Sequence, residues 1–122
     1  MDSFDWNRSK EELLTESRTA LRDIFEGTNY TMIRNPTMGE RMNNIYCNGS
    51  DKRVAFLIPL RQSQDFTFVF NIEYLPIIQR SGAKLGELKE IKKNKYPNWK
   101  QYSHLSYDDV RLILSAFVQY NN

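Results

Sequence analysis

The chain is poor in the residues that most often carry catalysis and metal binding. Its 122 residues include one cysteine and one histidine. A single cysteine cannot form an intramolecular disulfide, and a single histidine excludes every two-histidine metal site. No G-x-G-x-x-G or Walker-type glycine pattern is present, so the common cradles for nucleotide phosphates are missing. We therefore predict no cofactor, no metal and no catalytic residue, and a non-catalytic role is favoured over an enzyme.

Long apolar runs and secretion signals are lacking as well. The longest apolar run is VAFLIPL at residues 54–60, far shorter than the roughly 20 residues that cross a membrane. The first residues, MDSFDWNRSKEELL, lack the basic and apolar regions of a signal peptide. These features predict a cytoplasmic protein with no membrane interaction.

What is present is an ordinary globular composition with uneven charge. Hydrophobic residues make up 40% and charged residues 26%, which is typical of one soluble domain over residues 1–122. The net charge is only +2, but residues 1–26 hold seven acids and four bases, whereas residues 84–104 hold six lysines and two glutamates. Such asymmetry favours steering of a macromolecular partner or self-association as a homodimer.

The first clear element is an amphipathic helix over residues 10–26. Ser9 and Glu12 have the spacing of a capping box, in which each side chain binds the other residue's backbone amide. Leucines, Ile24 and Phe25 follow at helical spacing and predict one buried face. Gly27 stands where a left-handed residue ends such a helix.

The middle of the chain predicts strands. Asn44–Cys47 is short, and Arg53–Leu60 is almost entirely apolar, as in a central strand. Phe66–Tyr74 alternates aromatic or aliphatic residues with smaller or polar ones, the pattern of a strand with one buried face. The polar residues Arg61–Asp65 predict a hairpin loop, and a further short strand at Tyr30–Ile33 is compatible with the sequence.

The C-terminal third predicts helices around one short strand. Pro76 suits the first turn of a helical segment, and a lysine-rich helix is expected to end near Asn94. Gln101–Leu105 predicts a strand, and a capping pattern at Ser106 begins a final helix that runs to about Tyr120. The order α-β-β-β-α-(β)-α predicts an α+β fold. In it, an antiparallel sheet of three to five strands has the N- and C-terminal helices packed on one face.

This order and the tail of the chain resemble the MmcQ/YjbR-like family of small α+β proteins. The residues that carry the resemblance are Asn94, Lys95, Trp99, Leu105, Asp108, Asp109, Leu112, Ile113 and the strand segment Lys52–Ile58. The likeness covers about residues 43–118. One departure is that the family usually has a histidine just before the tryptophan, where this chain has Tyr96-Pro97-Asn98. The resemblance implies an α+β fold and a nucleic-acid-binding-like role without defined chemistry.

The same element order is similar to type III secretion chaperones, which are dimeric and bind effector segments but are usually acidic, whereas this chain has a pI near 8.7.

Residues 84–102 combine positive charge with aromatic rings. This is how a surface attracts a polyanion and stacks on its bases. The nucleic-acid-binding candidates are Lys89, Lys92, Lys93, Lys95, Trp99, Lys100 and Tyr102. The alternative is a solvated lysine helix followed by a core-anchoring tryptophan.

Three catalytic alternatives are weaker. Asp65 with Glu87-Leu-Lys89 has the Asp…Glu-x-Lys pattern of metal-dependent nucleases, although Glu90-Ile-Lys92 matches it equally. His104 could act alone as a general base oriented by Asp108, and Cys47 lies in an apolar segment where a thiol usually only packs.

A protein-interaction surface is the third hypothesis. The long irregular stretch before the first strongly predicted strand contains methionines and arginines, and Phe4 and Trp6 precede the first helix. The protein-interface candidates are Phe4, Trp6, Met32, Arg34, Met38, Arg41 and Met42. We therefore predict a non-catalytic binding module, a small adaptor or inhibitor, that recognises a protein partner. Nucleic-acid binding through 84–102 is the main alternative, and a nuclease is the least supported.

Overall fold

A computed structural model of the chain describes residues 4–34, 42–47, 53–91 and 96–121. In chain order its elements are α1 (Lys10–Phe25), β1 (Tyr30–Arg34), β2 (Asn43–Cys47), β3 (Arg53–Leu60), β4 (Asp65–Asn71), a 3-10 turn (Ile72–Tyr74), α2 (Leu75–Gln79), β5 (Lys89–Glu90), β6 (Trp99–Leu105) and α3 (Tyr107–Asn121). The predicted α+β class is confirmed.

The sheet has six strands in the order β1-β2-β3-β4-β6-β5, and all pairs are antiparallel. The prediction of three to five strands was therefore too low. The unpredicted strand is β5, which consists of only Lys89 and Glu90 and forms because it pairs with Gln101 and Lys100 of β6. Two charged residues have no sequence pattern that predicts a strand. They form a strand only because the neighbouring strand pairs with them.

The predicted lysine-rich helix is wrong for the part of it that the structure describes. Residues 82–88 have no regular structure, and Lys89–Glu90 are extended. Gly82 adopts a left-handed conformation with φ of +83°, which ends the helical turns after α2. The lysines have good helix propensity, but Gly86 lies within the segment and lowers it. The pairing of Lys89 and Glu90 with β6 then holds this part of the segment extended.

The three helices lie on one side of the sheet around a single core. On this side, Phe66, Phe68 and Phe70 of β4 are fully buried beneath α1 and α3. The stacked rings of Tyr74 and Phe117 bring the turn after β4 against α3. The aromatic side of β4 is therefore buried, as the alternation predicts. The predicted strand was too long, because Ile72–Tyr74 form a 3-10 turn, and Thr67 and Val69 on the opposite side are buried as well.

Both long helices begin and pack as their sequences indicate. Ser9 and Glu12 form the full capping box, and Gly27 follows α1 with φ of +75°. At α3, the Asp109 amide donates to the Ser106 hydroxyl oxygen at 3.0 Å. α1 and α3 are joined by the Tyr107 hydroxyl, which donates to the Ala20 carbonyl oxygen at 3.3 Å.

A buried asparagine connects α1 to the sheet. Asn43 of β2 is fully buried, its amide donates to the Leu14 carbonyl oxygen at 3.1 Å, and its Oδ1 accepts from Arg18 Nη1 at 2.7 Å. The side-chain nitrogen and oxygen of Asn43 are thus both hydrogen-bonded to α1, as their burial requires.

Among the described residues, no helix is both long enough and apolar enough to cross a membrane.

Candidate functional site

The N-terminal aromatic residues lie in the core rather than on an exposed surface. Phe4 is buried and stacks on Tyr107 with ring centroids 5.4 Å apart. Trp6 is half-buried and lies 4.9 Å from the ring of Phe66. The structure therefore gives these two interface candidates a packing role, in which the segment before α1 closes one end of the core.

Two other interface candidates, Met32 and Arg34, lie together on the edge strand β1. Met42 precedes β2 and is half-buried, whereas Met38 and Arg41 lie outside the described residues. Met32 and Arg34 line a groove of about 500 Å³ between β1 and the C-terminal half of α1. Two of the predicted interface residues, Met32 and Arg34, therefore line the same groove.

The groove follows the edge of β1, not one face of the sheet. Its walls include all five residues of Tyr30–Arg34, whose side chains alternate between the two faces, and Arg18, Arg22, Phe25 and Glu26 from α1. Within the described residues, β1 pairs only with β2 and stands at the end of the strand order. Ile33 on this strand is 52% exposed, the largest exposure among the large apolar side chains of the described residues. An exposed edge strand beside a helix is a recurrent place for an extended peptide to bind.

The groove is electropositive. It is lined by three arginines and one glutamate. Arg34 Nη2 lies 2.9 Å from Glu11 Oε1, and Arg18 is held by Asn43. The pKa of Arg18 is lowered, first because partial burial penalises the charged form and second because the charge of Arg34 is nearby. A carboxylate brought between these two guanidinium groups would offset the repulsion between them.

The nucleic-acid candidates that the structure describes do not lie on one surface. Tyr102 is buried, stacked on Phe70 in the core, so no face of its ring is available to a base. Lys100 lies opposite Phe70 on the helix side of the sheet, whereas Lys89 and Trp99 lie on the other side. Lys92, Lys93 and Lys95 lie outside the described residues.

The sheet side opposite the helices, which we name the helix-free face, carries a cross-strand row through all six strands. Directly opposite residues share a face, and the row is Ile33, Asn44, Phe56, Val69, Gln101 and Lys89. No helix of the described residues packs on this row.

An aromatic platform, defined here as Arg53, Phe56 and Trp99, lies on the helix-free face. The ring centroids of Phe56 and Trp99 are 5.7 Å apart, and the guanidinium carbon of Arg53 lies 4.7 Å and 5.4 Å from those two centroids. Sequence reasoning missed Arg53 and Phe56 because Arg53–Leu60 reads as a strand covered on both faces. The one available signal was the position of these residues in a strand that precedes an aromatic hairpin.

Asp65 and Lys89 do not lie on neighbouring strands, and Lys92 of the second nuclease pattern lies outside the described residues. Asp65 begins β4, whereas Lys89 lies on β5, and β6 separates the two strands. The Asp65 carboxylate instead accepts from the Ser63 hydroxyl at 2.6 Å and lies 3.0 Å from His104 Nδ1. In the described part of the chain, no three His, Cys, Asp or Glu side chains are close enough to hold a metal ion.

His104 is oriented by Asp65 and not by Asp108. It sits at the irregularity between β4 and β6 with φ of +58°, and its side chain is 73% exposed. Cys47 is half-buried at the end of β2 and packs against the core. His104 lines a shallow cleft of about 430 Å³ with Lys84, Glu87 and Lys89, which is open to solvent and not enclosed as catalytic clefts usually are.

A comparison with models of known protein families found no match, and searches among curated proteins and solved structures found none. The resemblance to the MmcQ/YjbR-like family therefore stays a prediction.

Proposed function

We propose that this chain is a non-catalytic binding module that recognises a protein partner by adding an extended, acidic segment of that partner to the edge of β1. The observation that carries the proposal is the arginine-lined groove along an edge strand. A cytoplasmic location belongs to the same proposal.

The backbone of β1 supplies the first part of the recognition. An edge strand such as β1 can pair with an incoming strand along the side that its neighbour β2 does not occupy. Five residues span about 17 Å, enough for five or six partner residues in register. β1 contains no proline or lysine, two of the residues that commonly protect sheet edges.

Side chains of the groove supply specificity. Residues of an added strand that point to the helix side would meet Met32 and Phe25, and residues that point the other way would meet Thr31 and Ile33. Acidic residues at the α1 side would meet Arg18 and Arg22. The partner segment is thus expected to mix β-branched or apolar residues with aspartate or glutamate.

A second copy of the chain is a less suitable occupant. Pairing two β1 strands would bring two sets of three arginines together, and like charges at close range oppose association. An acidic segment meets the same surface with opposite charge. Charge complementarity therefore favours a different protein over a homodimer.

The experiment begins with a displayed library of random dodecapeptides selected on the immobilised protein. Hydrogen exchange should then show that a selected peptide slows amide exchange in residues 30–34. Ile33→Lys should abolish binding, because a charged side chain on the edge opposes strand addition. Leu112→Lys, at an exposed leucine of α3, is the matched control.

Charge is tested separately on the same peptide. Arg22→Glu should weaken binding by about tenfold, since it removes one attraction and adds one repulsion at a partly screened site. Arg61→Glu, in the exposed turn between β3 and β4, should leave binding unchanged. Selection of no β1-dependent peptide, or protection that maps elsewhere, would refute the proposal. Concentration-dependent dimerisation that Ile33→Lys removes would assign the edge to a second copy instead.

A further inference from the structure

The helix-free face carries a second, chemically different arrangement of side chains. Its centre is the aromatic platform of Arg53, Phe56 and Trp99, three half-buried side chains that come from two strands separated by β4. Neighbouring strands are about 4.8 Å apart, so strands β3 and β6 are nearly 10 Å apart. A ring separation of 5.7 Å therefore means that Phe56 and Trp99 lean toward each other across β4. This accounts for the burial of Val69 of β4, which is only 2% exposed although no described helix covers it.

A β-bulge places the arginine on the same face as the rings. Strict alternation would put Arg53 and Phe56, three residues apart, on opposite faces. The register shift between β2 and β3 pairs Ile45 with Ala55 but Tyr46 with Arg53, so Val54 is the extra residue. Val54 is fully buried in the core, and Arg53 turns over the rings of the other face. Bulges commonly redirect a side chain in this way at a functional surface.

The surroundings of the platform are polar, uncharged or positive. Gln101 lies on the same face beside the rings and offers its amide group. Asn44 and Asn71 share this face but are engaged within the fold: Asn44 is buried and donates to the Tyr46 hydroxyl, and Asn71 Oδ1 accepts from the Glu73 amide. The row ends at Lys89, which is exposed. The described acid on this face, Asp65, lies at the far end of β4 and is occupied by Ser63 and His104.

From this combination we infer that the helix-free face binds a single-stranded nucleic acid, with one or two unpaired bases stacked on the aromatic platform. Flat rings and a guanidinium plane are the surfaces on which unstacked bases lie. The Gln101 amide can bond a base edge, and Arg53 and Lys89 can contact phosphates. A duplex keeps its bases stacked inside, and two cations are few for a duplex backbone, so the geometry favours a single strand.

The direct test uses the platform's own fluorescence. The chain has two tryptophans, Trp6 and Trp99, so a Trp6→Phe variant leaves Trp99 as the sole indole. The probes are the oligonucleotides dT12 and U12, with a 12-base-pair duplex as comparison, in 25 mM and 200 mM salt. We expect both single strands to quench Trp99 and to bind at the lower salt, with weaker binding at the higher salt. The duplex should bind more weakly and leave the fluorescence unchanged.

Variants then separate stacking from general attraction. Trp99→Leu should weaken binding by about tenfold, whereas Trp99→Phe should retain most of it, since stacking needs a ring. Arg53→Gln should weaken binding and Arg61→Gln, an equal loss of charge on the exposed turn, should not. A circular dichroism melt of each variant checks that the fold is intact.

Three outcomes would overturn the inference. They are no binding at 25 mM salt, duplex binding as tight as single-strand binding, or an equal loss of affinity in Arg53→Gln and Arg61→Gln together with no quenching of Trp99 fluorescence. Arg22→Glu, the groove variant, is expected to leave oligonucleotide binding unchanged. The two surfaces are therefore tested independently.

Discussion

Asn43→Ala should destabilise the protein more than any other change of a single polar side chain described above. The substitution removes two hydrogen bonds from a fully buried site: one to the Leu14 carbonyl oxygen and one from the Arg18 guanidinium. A neutral buried hydrogen bond contributes about 1 kcal/mol and one to a charged group about 1.5–3 kcal/mol. Leu14 keeps its helical partner, but Arg18 loses its nearest acceptor. We therefore expect a loss of about 2–4 kcal/mol in the free energy of unfolding.

Urea unfolding followed by circular dichroism gives this quantity directly, and a thermal melt should show a midpoint lowered by about 8–15 °C for a domain of this size. A double-mutant cycle of Asn43→Ala with Arg18→Ala should yield a coupling energy of about 1–3 kcal/mol. The matched control is Asn98→Ala in an exposed turn, expected to change stability by less than about 0.5 kcal/mol. A loss for Asn43→Ala no larger than that of the control would show that Asn43 does not connect α1 to the sheet.

Three further predictions concern single positions. Phe4→Ala should lower the unfolding free energy by about 3 kcal/mol in urea titrations, since the ring is buried against Phe66 and Tyr107; unchanged stability would return Phe4 to the list of interface residues. Gln64→Gly should raise the free energy of unfolding by about 0.5 kcal/mol, because Gln64 holds φ of +58° in the turn before β4. Gln62→Gly in the same turn should lower the free energy of unfolding. The midpoints of thermal melts of the two variants should therefore shift in opposite directions. The pKa of Asp23 lies below its ordinary value, chiefly because its carboxylate accepts hydrogen bonds from Arg111. This exposed pair should contribute about 0.2–1 kcal/mol above pH 5. The contribution should vanish as pH falls through the lowered pKa, so the unfolding free energies of wild type and Asp23→Asn should become equal in acid. A difference in unfolding free energy that persists at pH 2 would contradict this origin.

Local patterns predicted those parts of the fold whose cause is local. The capping box at Ser9 and Glu12 depends on residues close in sequence and is confirmed, and so is the buried aromatic side of β4. The burial of Thr67 and Val69 on the other side of β4 was not predicted, because it depends on distant segments. β5 could not be predicted, because its two residues are a strand only through their pairing with β6. The helix predicted for the lysine-rich segment was wrong for the same reason: the lysines favour a helix locally, but Lys89 and Glu90 are held extended by pairing with β6.

The candidate surfaces were only partly predictable. Met32 and Arg34 were identified as interface residues, but the groove also needs Arg18 and Arg22 from α1, which look like ordinary solvated charges in sequence. The aromatic platform needs a bulge at Val54 to place Arg53 over Phe56 and Trp99. A bulge is a matter of strand register, and register is decided by pairing between distant segments.

The position of β6 has a consequence for synthesis of the chain. β4 is paired on one side by β3 but on the other by β6, a strand that begins 28 residues after β4 ends. While the chain leaves the ribosome at roughly 5–20 residues per second, that edge of β4 lacks its partner for a few seconds. The waiting segment, DFTFVFN, has high β-propensity, three phenylalanines and a single charge. We expect aggregation of the nascent chain to be governed by this interval, so a truncation that ends before Trp99 should accumulate in inclusion bodies whereas the whole chain stays in solution.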